Sequence, residues 1–176
     1  MLPLLLLLLS GVLVFIDQIS KHLAVAFLKD GPVFSLIPKV FELRYSENTG
    51  VAFSLLENQR WLFIPVTVLV AIVFIVLLFR SPLRKYKTFT AACVLILAGG
   101  IGNLIDRVWH GYVIDFIYFR LINFPIFNLA DCCVVIGAAF LFVFVLFIYK
   151  EPEDTGVRTW LFGMPNKEKE QPHGED

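Results

Sequence analysis

Four stretches of this chain are longer and more apolar than a soluble domain of 176 residues can bury. About 20 predominantly apolar residues in a helix cross a bilayer. The segments at about 4–28, 61–79, 88–105 and 127–149 meet that requirement. Backbone polar groups in lipid must bond within their own segment, and no barrel-type alternation is present, so the pattern predicts four transmembrane helices. The whole-chain composition agrees: 58% of residues are hydrophobic and the mean hydropathy is +0.77.

Two features imitate processing signals. The Leu run after Pro3 has no basic leader before it and no small-x-small site after it, so it is read as a retained helix. Ala91-Ala92-Cys93 faintly resembles a lipid-attachment site but lies mid-chain. The formal net charge is zero, which gives no reason to expect a nucleic-acid partner. Cys93, Cys132 and Cys133 form neither a disulfide framework nor a metal-type spacing. They read as buried small hydrophobes, with no metal and no cofactor expected.

Four spans place both termini on one side. Lys and Arg divide eight against seven between the two sides, which does not orient the chain. The crowding of Arg80, Arg84, Lys85 and Lys87 in one short loop favours that loop, and hence the termini, as cytoplasmic. On the opposite side the element 29–60 is too long for a connector. Its run Lys39-Val40-Phe41-Glu42-Leu43-Arg44-Tyr45 alternates like a strand, and Asn48-Thr49-Gly50 supplies a turn. The stretch 106–126 is polar and aromatic in the same way. These features predict a polytopic, all-α membrane domain over 1–150 with a small extramembrane β-element. A charged, Pro-containing tail over 151–176 is expected to be partly disordered.

An ionisable side chain inside a spanning helix costs about 2.5–3.5 kcal/mol on insertion scales, so each requires a reason. Asp17 and Lys21 stand four residues apart on one face of the first helix. They form either a self-neutralising pair or a brace for a site. In Gly99–Arg107 the glycines allow close helix approach. Asn103 and Arg107 share a face one turn apart, and Asp106 can pair with Arg107 as a simple helix-end cluster. Asp131 follows Asn128 by three residues, the spacing of a helix capping box. Alone it reads as a cap. Asp115, in Val113-Ile114-Asp115-Phe116, is a second acid without an obvious partner on the same membrane side.

Two carboxylates brought together cannot both ionise cheaply, so one proton is shared. That is the working state of an aspartic protease, in which one acid takes a proton from water and the other donates one to the scissile carbonyl. No G-x-S-x-G or H-E-x-x-H is present, and His22, His110 and His173 are scattered. The same polar residues also fit a small ion or proton carrier, or a non-catalytic bundle glued by polar contacts. Their clustering at one membrane face disfavours transport.

Five blocks carry a resemblance to the bacterial lipoprotein signal peptidases (signal peptidase II) over about residues 5–150. They are Asp17-x-x-Ser20-Lys21, Asn48-Thr49-Gly50-Val51-Ala52-Phe53, Gly99-Gly100-x-Gly102-Asn103-Leu104-x-Asp106-Arg107, Val113-x-Asp115-Phe116 and Phe127-Asn128-x-Ala130-Asp131. The resemblance implies a catalytic pair at Asp115 and Asp131, with Asn48, Gly50, Asn103, Arg107 and Asn128 lining the substrate site and Asp17 and Lys21 supporting it. The implied substrate is a prolipoprotein signal peptide, cut on the N-terminal side of a diacylglyceryl-modified cysteine. The implied inhibitors are globomycin-type cyclic peptides. A β-cradle, a short mobile periplasmic-side helix, cytoplasmic termini, lateral entry from membrane lipid and a site near the outer face of the bacterial cytoplasmic membrane are implied too. A monomer is expected.

Overall fold

The computed structural model describes residues 1–50 and 60–149. The four expected helices are present as α1 (Leu2–Leu28), α2 (Arg60–Arg80), α3 (Lys87–Trp109) and α4 (Leu129–Val143). The last continues through a widened π-type turn, Phe144–Ile148. All four are long and apolar enough to cross a membrane. About half of the α3 span is buried inside the protein, against 11%, 6% and 11% for the other three. α3 is therefore the central post. The outward side chains of the others, such as Leu4, Leu8, Phe15, Leu69 and Phe142, are more than a third exposed and suit lipid.

The breaker residues account for most of the boundaries. Pro3 sits in the first turn of α1, where its missing N–H costs nothing. Ser81-Pro82 follows α2, and the Ser81 hydroxyl accepts the Leu83 N–H at the head of a 3-10 turn. α3 runs four residues further than the apolar pattern predicts. No breaker stands before Gly111, which takes a φ of 85° that favours glycine. Asp106 and Arg107 are therefore helical residues rather than loop residues. α4 begins two residues later than expected because Asn128 caps it.

β1 (Phe34–Ile37), β2 (Phe41–Asn48) and β3 (Val113–Phe119) form an antiparallel sheet in the order β1-β2-β3. The alternating segment around Lys39–Tyr45 becomes β2. The third strand comes from the 106–126 stretch, with Asn48 opposite Val113 and Ser46 opposite Asp115. Ala24 of α1 packs with Ile114 and Phe116, joined by Leu28, Leu43 and Leu129. The sheet is thus fixed to the ends of α1 and α4. Phe127 exchanges backbone bonds with Ile117 at 2.8 and 3.0 Å, so the lead-in to α4 runs along β3. Among the described residues of this side, the only helical turn is the 3-10 turn Arg120–Ile122. Val51–Phe53 and the tail from 151 lie outside the described residues.

The α3–α4 seam depends on glycine. A Cβ on Gly99 would collide with the Ala130 carbonyl oxygen and Val134, and one on Gly137 would lie 2.7 Å from Ile96 Cγ1. At the far end of the bundle Phe144 packs on Phe89 and Tyr86, with ring centroids 5.2 Å apart in both pairs. Cys93 is buried there as a small hydrophobe, whereas Cys132 and Cys133 are only half-buried. Gly99→Leu should separate the two helices and lower the melting temperature, since overpacking costs about 1–3 kcal/mol. Gly11→Leu, with nothing within 4 Å of its Cβ position, should leave the melting temperature unchanged. Equal melting temperatures for both variants would show that the seam is not tight.

Candidate active site

Asp115 enters the interior because β3 begins with four buried residues, Val113 to Phe116, and its own residue is 1% exposed. β2 ends beside it. Asn48 Oδ1 accepts the Gly50 N–H at 3.0 Å, which turns Asn48 Nδ2 toward Asp115 Oδ2 at 2.9 Å. From the other side comes Asn128, which is fully buried. Its Oδ1 accepts the Asp131 N–H at 2.9 Å, so its Nδ2 must face the opposite way, 2.6 Å from Asp115 Oδ1. The cap of α4 therefore also orients an amide donor onto the second acid.

Asp131 completes the capping box, with Oδ2 accepting the Asn128 N–H at 3.2 Å. Its Oδ1 accepts Asn103 Nδ2 at 2.8 Å. Asn103 Oδ1 in turn receives Asn128 Nδ2 at 3.1 Å and Lys21 Nζ at 3.0 Å. Asn103 and Asn128 thus join α3, α4 and β3 around the two carboxylates. The capping role of Asp131 is real, and it leaves one carboxylate oxygen on this network.

Behind them lies a buried charge cluster. Lys21 is 0% exposed and lies 2.9 Å from both Asp17 Oδ2 and Asp106 Oδ2. Asp17 and Lys21 form the expected pair, and Asp17 Oδ1 also accepts the Ala130 N–H at 2.8 Å. Asp106 pairs with Lys21 rather than with Arg107. Gln18, which the motifs passed over, donates Nε2 to Asp106 Oδ1 at 3.0 Å and to the Gly102 carbonyl at 3.1 Å. Its only sequence signal was an amide beside Asp17 in an apolar helix. Among the described residues no buried side-chain polar atom lacks a partner.

Arg107 sits on the other side of Asn103, half-buried. Its Nη1 reaches the Asn103 carbonyl and its Nη2 the Gly50 carbonyl, both at a long 3.4 Å, and its guanidinium lies 5.3 Å from the Phe63 ring centroid. Among the described residues no carboxylate pairs with it at salt-bridge distance. Its donors remain available to a carbonyl-rich ligand. Glu47 stands apart, exposed on the sheet beside Lys29 (3.0 Å) and the Tyr45 hydroxyl (2.8 Å), whose hydrogen bonds hold its carboxyl below the usual range.

Burial pushes the Asp115 carboxyl up to about 7, and the charge of Asp131 adds to the shift. The amide donors Asn48 and Asn128 oppose it. Asp131 lies in the first turn of α4, where the helix dipole favours a negative charge. The two acids share one hydrogen-bond network through Asn128 and Asn103, and a pair that holds one proton between them suits acid–base chemistry.

The chain was compared with known proteins. A family model described as "Signal peptidase (SPase) II" matches residues 9–147. A "Lipoprotein signal peptidase" of Brevibacillus brevis is 40% identical over 134 residues, 76% of this chain and 89% of the relative. Those of Caldanaerobacter subterraneus (44% over 135 residues, 76% and 90%) and Clostridioides difficile (43% over 136 residues, 77% and 90%) are similar over comparable spans. Two solved bacterial membrane enzyme structures, obtained by the in meso method, are each 29% identical. Their TM-scores are 0.75 and 0.73, covering 84% and 82% of this chain and 92% and 94% of theirs.

Proposed function

This chain belongs to the signal peptidase II family, and from that premise we propose that it removes the signal peptides of prolipoproteins with Asp115 and Asp131 as its catalytic pair. The observation that carries the assignment is the single Asn128 side chain, which holds the Asp131 N–H on one atom and the Asp115 carboxylate on another. Two acids converge on one buried junction at the sheet end of the bundle.

The chemistry follows from their difference. Asp115, buried and raised to about 7, carries the shared proton. Asp131 serves as the base. Water attacks the scissile carbonyl carbon, one of its protons passes to Asp131, and the Asp115 proton passes to the carbonyl oxygen. The resulting gem-diol collapses: the C–N bond breaks, the amine nitrogen takes the proton from Asp131, and a hydroxyl proton returns to Asp115. The pair is restored with one water consumed.

The substrate bond is the one N-terminal to a diacylglyceryl-modified cysteine. Asn48, Asn103 and Asn128 hold the acids, while Arg107 and the Gly50 carbonyl face the peptide. Globomycin-type cyclic peptides occupy the same space. The enzyme works as a monomer, its membrane-embedded domain spanning 1–150 and its tail 151–176. It lies in the bacterial cytoplasmic membrane with both termini inside and the sheet at the outer face, so the lipid-modified substrate enters sideways from the bilayer.

The test is cleavage of a prolipoprotein by purified protein in lipid. A diacylglyceryl-modified substrate should be cut and its unmodified counterpart left intact. The rate should also be bell-shaped in pH, with apparent pKa values that belong to the pair. Above about 7 Asp115 loses the proton it donates, so kcat/KM falls on the alkaline side. On the acid side a second proton on the pair leaves it without a base. A profile still rising well above neutral pH would remove Asp115 as the acid.

A further inference from the structure

Each of the two acids is preceded in sequence by a residue whose backbone N–H ends on a buried carboxylate. Ile114 N, next to Asp115, donates to Asp106 Oδ2 at 3.1 Å. Ala130 N, next to Asp131, donates to Asp17 Oδ1 at 2.8 Å. The two carboxylates come from different helices, α3 and α1, and one ammonium joins them: Lys21 Nζ lies 2.9 Å from each. The same ammonium donates to Asn103 Oδ1 at 3.0 Å, and Asn103 holds Asp131.

We propose that Asp17, Lys21 and Asp106 are positioning residues that set the spacing of the catalytic pair through the Ile114 and Ala130 N–H groups, rather than residues that touch the substrate. The inference rests on the assignment of Asp115 and Asp131 as the pair. β3 and the start of α4 are the two elements that must keep a fixed separation, and neither is covalently close to the other. Fifteen residues separate Ile114 from Ala130 along the chain. Backbone hydrogen bonds from Phe127 to β3 fix one side of this junction. The buried cluster fixes the other. Asp106 and Asp17 each accept the N–H of the residue just before one of the acids, and Lys21 prevents the two acceptors from moving apart. Gln18 holds the remaining Asp106 oxygen to the Gly102 carbonyl and so ties the cluster to α3. A displacement of about 1 Å in a reacting group costs roughly 100-fold in rate, which makes such a brace a rate-determining part of the site.

Among the described residues, the charged groups around the pair are Asp17 and Lys21 from α1 and Asp106 and Arg107 from α3, so removing any of them also changes the local field. The experiment cancels that effect by comparing alanine with asparagine at one position. Asp106→Ala and Asp106→Asn lose the same charge, but only asparagine keeps an acceptor for the Ile114 N–H. Asp17→Ala and Asp17→Asn do the same for Ala130. In each single variant Lys21 retains one carboxylate, so no buried ammonium is left unpaired. With full-length protein in lipid, both alanine variants should lose about 100-fold in kcat with KM changed less than about threefold. The asparagine variants should recover about tenfold of that loss. Equal kcat for alanine and asparagine, a loss confined to KM, or wild-type kcat in the alanine variants would each overturn the proposal. If an alanine variant does not fold, leucine takes its place as the uncharged residue without an acceptor, close to asparagine in size, and the same comparison decides: kcat about tenfold below the asparagine variant at unchanged KM supports the brace, and equal kcat refutes it. Asp115→Asn, assayed in parallel, separates the two levels. Activity there sinks the pair itself, whereas an inactive Asp115→Asn beside fully active Asp17 and Asp106 variants sinks only the brace.

Discussion

Asp115→Asn is expected to lose up to about 10⁴-fold in cleavage rate, and Asp131→Asn a similar factor, since acid and base roles each contribute about 10²–10⁴. The two losses should not multiply. Acid and base serve one step, so the double variant should be about as slow as either single one. Asparagine conserves shape and leaves each site uncharged, so both proteins should still fold, checked by melting temperature and gel filtration in detergent. Asp131→Asn is the more perturbing change, because Asp131 Oδ2 also closes the α4 capping box. A modest fall in melting temperature there is compatible with the assignment. Asp115→Glu should also be slow: it keeps the carboxyl but pushes it one methylene past the amides of Asn48 and Asn128, which now hold its oxygens at 2.9 and 2.6 Å. Either asparagine variant retaining a tenth of wild-type turnover would sink the dyad.

Asp131 shows what the sequence could and could not express. Its spacing from Asn128 is that of a helix cap, and the cap is present. That spacing cannot show that a cap leaves the second carboxylate oxygen free, nor that Asn103 from another helix holds it. The apolar runs located all four helices, because hydropathy depends on length and composition alone. Boundaries were less legible where the polar site begins: α3 continues to Trp109 although its apolar pattern fades at Ile105, since only Gly111 stops it. The third strand was legible only as a polar and aromatic stretch over 106–126, and its bounds were not, because Val113–Phe116 is buried on both faces and lacks alternation.

The pairing of Asp106 was illegible for a geometric reason. Adjacent residues on a helix point about 100° apart, so Asp106 and Arg107 face different neighbours. Asp106 meets Lys21, whose position relative to α3 is set only by tertiary packing. Gln18 was overlooked for the same cause. Its two nearest acceptors, the Gly102 carbonyl and Asp106, lie on α3. The sequence places polar groups at one end of the bundle, and the packing of α1 against α3 assigns their partners.

Asn128→Leu should be the most damaging change outside the pair itself, with kcat lowered about 10³-fold. The leucine is close in size but cannot make any of the four contacts: the Asp131 N–H, the Asp115 carboxylate, the Asn103 amide and the Ile114 carbonyl. Loss of the N-cap alone costs about 0.5–2 kcal/mol in stability. The catalytic loss is larger because oriented donors in a water-poor site are worth about 10²–10³ in rate each. Asn128→Ser separates the two effects. A serine hydroxyl accepts the Asp131 N–H and restores the cap, but it cannot at the same time present an amide N–H to Asp115. The melting temperature should therefore recover while turnover stays within about tenfold of Asn128→Leu. The pH profile supplies an independent sign. The Asn128 hydrogen bond holds the Asp115 carboxyl down against burial, so removing it raises that carboxyl further above about 7 and moves the alkaline limb to higher pH. A serine variant with near wild-type turnover, or an alkaline limb displaced toward acid, would mean that Asn128 only caps the helix and does not hold Asp115.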